Sequence, residues 1–151
     1  MTKKFLIIIF YFLSACSGYQ PIYKAQNTND YLFKSIEVAG DQKINKRIVS
    51  ALNLKKDDTD ESLNEIKITS KKNIENTSKD SLGQVSSYRT TVQLYVTIKN
   101  SNNIIKEKQF IKDFSYNKKE NKFDLTEYQK EIEKSLVNKI IEELILYLNL
   151  K

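Results

Sequence analysis

The sequence predicts an α+β domain, a two-layer sandwich in which a mainly antiparallel four-stranded sheet carries two helices packed on one face. Two periodicities and an element order carry that prediction. Residues 87–100, "SYRTTVQLYVTIKN", alternate apolar and polar side chains, the period of a half-buried strand. The last stretch, from about residue 124 onward, repeats apolar residues every three or four positions, the period of a helix. The full order reads strand, helix, three strands, long helix. Helices gathered on one side of an antiparallel sheet bury both sets of apolar faces at once. The 151 residues allow one such domain plus an N-terminal segment.

That N-terminal segment comes first. Lys3 and Lys4 precede nine apolar residues, Phe5 to Leu13. A membrane span needs about 20 apolar residues, so this run is too short to cross but suits the core of a secretory signal. Residues 1–15 are therefore read as a signal peptide, 16–31 as a modified N-terminus and polar tether, and 32–151 as a single domain. The quartet Leu13-Ser14-Ala15-Cys16 resembles the bacterial lipobox, where an aliphatic residue and two small ones precede a cysteine that becomes lipidated. The resemblance implies a diacylglycerol on the Cys16 thiol and, after cleavage, an N-acyl chain on its amine. One chain anchors only marginally at about 0.8 kcal/mol per buried methylene, while two or three hold a protein on a membrane. Ser17 follows instead of an aspartate, which by resemblance to Gram-negative sorting favours the outer membrane.

Within the domain, "LFKSIEVAG" (32–40) is expected as a first strand that Gly40 stops. Asp41 is placed to cap a helix reaching Leu54, with Ile44, Ile48, Ala51 and Leu52 on one side and Lys43, Lys46 and Arg47 on the other. "KKDDTDES" (55–62) reads as a solvated loop, and Leu63 to Lys71 as a second strand with Ile66 and Ile68 on one face. "NIENTSKDSLGQVS" (73–86) lacks apolar alternation and reads as a long hairpin connection. In the strand that follows, Val92, Leu94, Val96 and Ile98 point one way; Arg89, Thr91, Gln93, Tyr95 and Thr97 point the other. The turn "NSNN" then joins it to a fourth strand, "IIKEKQFIKDFSYN".

The last helix is given Asp124 or Thr126 as its cap, with Thr126 and Gln129 at capping-box spacing. Tyr128, Ile132, Leu136, Ile140, Leu144 and Leu148 recur every four residues, with Val137, Ile141 and Ile145 alongside. A repeat of four outruns 3.6, so the stripe drifts in the manner of a helix crossing a twisted sheet. Lys130, Glu131, Glu133, Lys134, Lys139 and Glu142 fill the remainder, a mixture that argues against a helix lying flat on a membrane.

Composition narrows the chemistry. The chain is 40% apolar and 29% charged, with a net charge of +6 spread along its length. No compact Lys/Arg stripe appears, so nucleic acid is not an expected partner. There is no histidine and a single cysteine, which removes the commonest general base, the commonest metal ligand and any intrachain disulfide. The acidic run Asp57 to Glu61, "DDTDE", lacks the glycine and spacing of a calcium loop. No enzyme activity and no metal are expected.

Taken together, the leader, the segment Cys16-Ser17-Gly18-Tyr19-Gln20-Pro21-Ile22-Tyr23, the strands "SSYRTTVQLYVTI" and "FSYN", and the terminal amphipathic helix resemble the LPS-assembly lipoprotein LptE in its alphaproteobacterial form. In that form the lipidated cysteine is followed closely by Gly, an aromatic residue, Pro, an aliphatic residue and Tyr; here Ser17 is inserted before Gly18. The resemblance implies a non-enzymatic outer-membrane lipoprotein on the periplasmic side, with no cofactor beyond its covalent lipid. Its partners would be the LptD β-barrel, which it helps to assemble and plugs, and lipopolysaccharide. Tyr19, Pro21, Ile22 and Tyr23 would be a docking segment stiffened by the proline, or would pack on the domain's own sheet edge. Lipopolysaccharide is anionic, so Arg89 is the first candidate contact, followed by Lys118, Lys119 and Lys122. The alternative is another outer-membrane-anchored structural or ligand-binding lipoprotein that acts without a barrel partner.

Overall fold

The structure, a computed structural model, describes residues 31–101 and 103–150. In place of the single first strand expected over 32–40 there are two, β1 (Tyr31–Phe33) and β2 (Ser35–Gly40), separated by a bend at Lys34. The bend lets one stretch serve two partners. β1 pairs in parallel with a short β3 (Leu54–Lys56), while β2 pairs in parallel with β4 (Glu65–Lys79). Lys55 and Lys56, expected in a loop, therefore lie in a strand. β5 (Val85–Asn100) and β6 (Asn103–Asn117) complete a four-stranded sheet of order β2-β4-β5-β6, antiparallel except at β2. The parallel step exists because the chain crosses over between β2 and β4 through a helix.

That helix, α1 (Gln42–Ala51), is capped by Asp41, whose carboxylate accepts from the amides of Lys43 and Ile44 at 3.0 and 3.1 Å. Such a cap contributes about 1 kcal/mol. Instead of reaching Leu54, α1 stops at Ala51. Asn53 takes a φ of 47° and turns the chain into β3. Gly40, just before the cap, has a φ of 88°, and a Cβ there would sit 1.8 Å from the Ser70 carbonyl oxygen. Only glycine lets β2 approach β4 so closely while entering α1.

The segment expected as a long connection is mostly strand. β4 runs to Lys79 and β5 begins at Val85, leaving only the turn 80–84. There Asp80 accepts from the amides of Leu82 and Gln84, and Gly83 has a φ of 77°. Residues 71–80 are exposed, so the hydropathy pattern has no buried face to record. Ladder hydrogen bonds and hydroxyl pairs such as Thr77 with Ser87 and Ser78 with Ser86, both 2.6 Å, hold this arm together.

The second helix, α2 (Lys122–Asn149), begins before either expected cap. Asn121 is the cap, accepting from the Phe123 amide at 2.8 Å. Asp124 sits instead within the first turn, where a carboxylate complements the positive end of the helix. The Thr126 hydroxyl bonds back to the Lys122 carbonyl.

The core lies between the sheet and the helices. Ile66, Ile68, Val92, Leu94, Val96, Ile98 and Phe110 meet Ile44 and Ile48 of α1, Leu52 at its C-cap, and the stripe Ile132, Leu136, Val137, Ile140, Ile141, Leu144 and Ile145 of α2. Each fully buried aliphatic side chain contributes about 1.5–3 kcal/mol. Lys43 and Arg47, expected to point away from this contact, bridge the helices instead. Lys43 pairs with Glu133 at 3.0 Å, and Arg47 donates to Asn138 at 2.9 Å. Lys72 of β4 reaches Glu133 at 2.5 Å from the sheet side. Burial pushes the Glu133 carboxyl up, but the hydrogen bonds from Lys72 and Lys43 outweigh it and hold the group below the ordinary carboxylate value.

Candidate functional site

The helices leave one face of the sheet open, and alternation decides what it presents. On β5 the open positions are Arg89, Thr91, Gln93 and Tyr95, four of the five that the alternation assigns to the polar side; the fifth, Thr97, is buried, as are Val92, Leu94, Val96 and Ile98 against the helices. The register places Glu75 and Ser115 beside Arg89, Asp113 beside Thr91, and Glu107 beside Thr97. The surface is dense in donors and acceptors, and its charges face one another. Glu37 pairs with Lys67 at 2.8 Å. The Tyr95 hydroxyl donates to Glu107 at 2.6 Å, and that hydrogen bond raises its pKa, assisted by partial desolvation. Apart from half-exposed Ile111 beside Gln93, this is a self-satisfied polar face, able to meet water or a polar partner wall without losing hydrogen bonds.

Arg89 lies in the middle of this pattern. Its guanidinium donates from Nε to Ser115 Oγ at 3.1 Å and has Glu75 and Asp113 at 3.9 and 3.8 Å. An incoming anion would have to compete with two carboxylates. Lys118 and Lys119 lie in the connection from β6 into α2 and Lys122 opens α2, at the same end of the sheet as the β4–β5 turn. The four candidate cations share that end but not one face. Lys119 stands over the Tyr128 ring at 4.7 Å, on the helix side. Cys16 and the group Tyr19, Pro21, Ile22 and Tyr23 lie outside the described residues.

Beneath Lys119 is a feature the sequence reading missed. Tyr88 and Tyr116 stack at 5.7 Å across the β5–β6 pair, and Tyr128 of α2 meets Tyr116 edge-on at 5.7 Å. The buried Tyr116 hydroxyl pairs with Thr90 at 3.0 Å. The signal was available, since Tyr88 and Tyr116 become opposite neighbours once the hairpin register is set. Beside this ladder, a cleft of about 240 Å³ opens between Phe114 of β6 and Tyr128, Ile132 and Ser135 of α2. A larger groove, about 600 Å³, follows Val38, Ala39 and Gly40 of β2 and Lys46 and Val49 of α1.

The acidic run 57–61 spends its carboxylates on neighbours within the loop, except Glu61, which pairs with Lys34. Asp57 accepts from the amide and hydroxyl of Thr59, Asp60 does the same for Ser62, and Asp58 pairs with Lys56. Among the described residues no group of three or more acidic, Cys or His side chains is arranged to hold a metal. None of the described helices is long and apolar enough to cross a membrane.

The described body thus belongs to a class of small two-layer α+β modules with one face closed by helices and one left polar. Its fold is shared with solved bacterial lipoproteins. The rare lipoprotein B from Shewanella oneidensis superposes with a TM-score of 0.58 at 8% identity, covering 76% of this chain and 92% of that one. Lipoprotein B from Nitrosomonas europaea gives 0.53 at 10% identity, over 77% and 82%. A minor lipoprotein from Acinetobacter baumannii gives 0.50 at 9%, over 76% and 90%. At such identities the likeness is one of fold. No family model matches the chain, and no curated protein matches it.

Proposed function

We propose that this chain is an outer-membrane lipoprotein of the LptE kind, acylated at Cys16, that assists and plugs the LptD β-barrel in lipopolysaccharide transport. The observation that carries the proposal is the lipobox-like Leu13-Ser14-Ala15-Cys16 followed, after Ser17, by Gly18-Tyr19-Gln20-Pro21-Ile22-Tyr23, ahead of a fold shared with bacterial lipoproteins. The role is non-enzymatic: a plug inside a polar lumen needs a polar exterior whose hydrogen bonds survive contact, and the open sheet face supports that reading. Lys118, Lys119 and Lys122, with Arg89 nearby, are the proposed contacts for lipopolysaccharide anions.

Affinity purification of the tagged, lipidated chain from membranes tests the proposal. An outer-membrane barrel should come with it, and the chain should retain lipopolysaccharide less well as salt rises. Recovery of the chain with no barrel would instead favour a lipoprotein that works alone. Cys16→Ala should abolish acylation and release the chain from the membrane fraction. A variant that stays membrane-bound would overturn the anchor.

A further inference from the structure

One end of the domain gathers exposed apolar side chains beside cations that have no carboxylate partner among the described residues. Tyr31, where the described chain begins, donates its hydroxyl to Asn149 in the last turn of α2 at 3.2 Å. Along most of α2 the solvent-facing positions are polar: Glu131, Lys134, Lys139 and Glu142 are all exposed. The final turns read "LILYLNL" (144–150), and their outward positions are Leu146 and Leu150, 60% and 64% exposed, with Asn149 between them. Spaced by four, with the Leu150 amide donating to the Leu146 carbonyl at 3.1 Å, the two are neighbours at the end of α2. β6 begins at the same place with half-exposed Ile104 and Ile105, and a register irregularity leaves Ile105 out of the ladder.

Cations border this apolar end. Lys106 donates to the Leu150 carbonyl, and Lys108 stands over the Phe110 and Tyr147 rings at 5.0 and 5.4 Å. Glu107 lies on the other face, occupied by Tyr95. The nearby Glu143 is taken by Lys112. Neither Lys106 nor Lys108 has a carboxylate partner among the described residues.

We propose that this end docks on a lipid surface carrying anionic headgroups, with Leu146, Leu150 and Ile105 entering the interface and Lys106 and Lys108 meeting the phosphates. A turn facing only water would carry the charges that the same helix presents earlier. Apolar side chains with unneutralised cations beside them match an anionic interface in both respects. The described chain begins at Tyr31 on this end, which is therefore the end nearest in sequence to Cys16. The bearing of that point on a membrane rests on the lipoprotein reading; the apolar and cationic surface does not.

The test uses the full chain purified from membranes and reconstituted in phosphatidylcholine vesicles, with and without phosphatidylglycerol. Leu146→Cys carries an environment-sensitive fluorophore, and Leu82→Cys, at the 81% exposed position in the turn at the opposite end, carries the same one. The Leu146 probe should blue-shift on binding vesicles and be quenched by brominated acyl chains, both more strongly with phosphatidylglycerol, while the Leu82 probe stays unchanged. Lys106→Glu with Lys108→Glu should remove the phosphatidylglycerol increment. A Leu146 probe as unquenched as the Leu82 probe overturns the proposal, as does a chain that does not float with the vesicles; a protein wall covering this end would give the first result. Intact mass, read separately, reports acylation of Cys16 and labelling of a single thiol. The anchor and the docking surface can therefore fail independently.

Discussion

Glu133 joins three elements, and deleting its partners should reveal how unequally they matter. Its side chain is 9% exposed, against 32% for Lys72 and 71% for Lys43. A pair as open as Lys43 with Glu133 is worth about 0.5 kcal/mol. A charged hydrogen bond as enclosed as that from Lys72 contributes about 2 kcal/mol, because its loss leaves a buried carboxylate short of a partner. Lys72→Met should therefore cost about 2 kcal/mol and Lys43→Met about 0.5 kcal/mol. Glu133→Leu should cost less than Lys72→Met, since the freed lysines can extend their stems and return their ammonium groups to water. Combining Lys72→Met with Glu133→Leu should cost less than the sum, giving a coupling of about 1–2 kcal/mol. Urea denaturation followed by circular dichroism measures each term. The coupling also has a pH signature. The folded pKa of Glu133 is depressed, so the native state binds fewer protons than the unfolded chain. The contribution is complete above the ordinary carboxylate value of 4.5 and is lost as pH falls through the lower folded value. Equal costs for Lys43→Met and Lys72→Met, or a coupling that survives acidification, would refute this reasoning.

Three further outcomes follow from the geometry. Gly40→Ala should destabilise by about 3 kcal/mol or more, from a positive φ and a Cβ driven into the Ser70 carbonyl, and an unchanged denaturation midpoint would contradict it. Tyr116→Phe should cost about 1–2 kcal/mol by stranding the buried Thr90 hydroxyl, and adding Thr90→Val should recover part of that in the same assay. Arg89→Gln should change stability by less than about 0.5 kcal/mol, since its ion pairs are long and half-exposed. If Arg89 contacts lipopolysaccharide, retention on immobilised lipopolysaccharide at low salt should fall; retention equal to wild type would leave it a residue of the sheet's own ion pairs.

The sequence alone determined the features that depend on local periodicity. Residues that alternate on β5, such as Val92 against Gln93, had to face opposite ways wherever the strand lay, because a strand has only two faces. The stripe from Ile132 to Ile145 likewise had to be buried, since no other arrangement hides it. The lipobox-like quartet ending at Cys16 is also a sequence feature, readable without a fold because the proposed peptidase and acyltransferase would act on extended chain. Tertiary structure decided what depends on partners distant in sequence. The bend at Lys34 exists only because β1 and β2 pair with different strands, and the arm from Lys71 to Lys79 is strand without a hydropathy signal because its hydrogen bonds come from β5. The same holds for charge. Arg89 reads as a free cation in one dimension, yet register brings Glu75 and Asp113 to it, and helix packing turns Lys43 inward onto Glu133. Periodicity fixes which side of its own element a residue occupies, whereas pairing and packing fix what stands opposite.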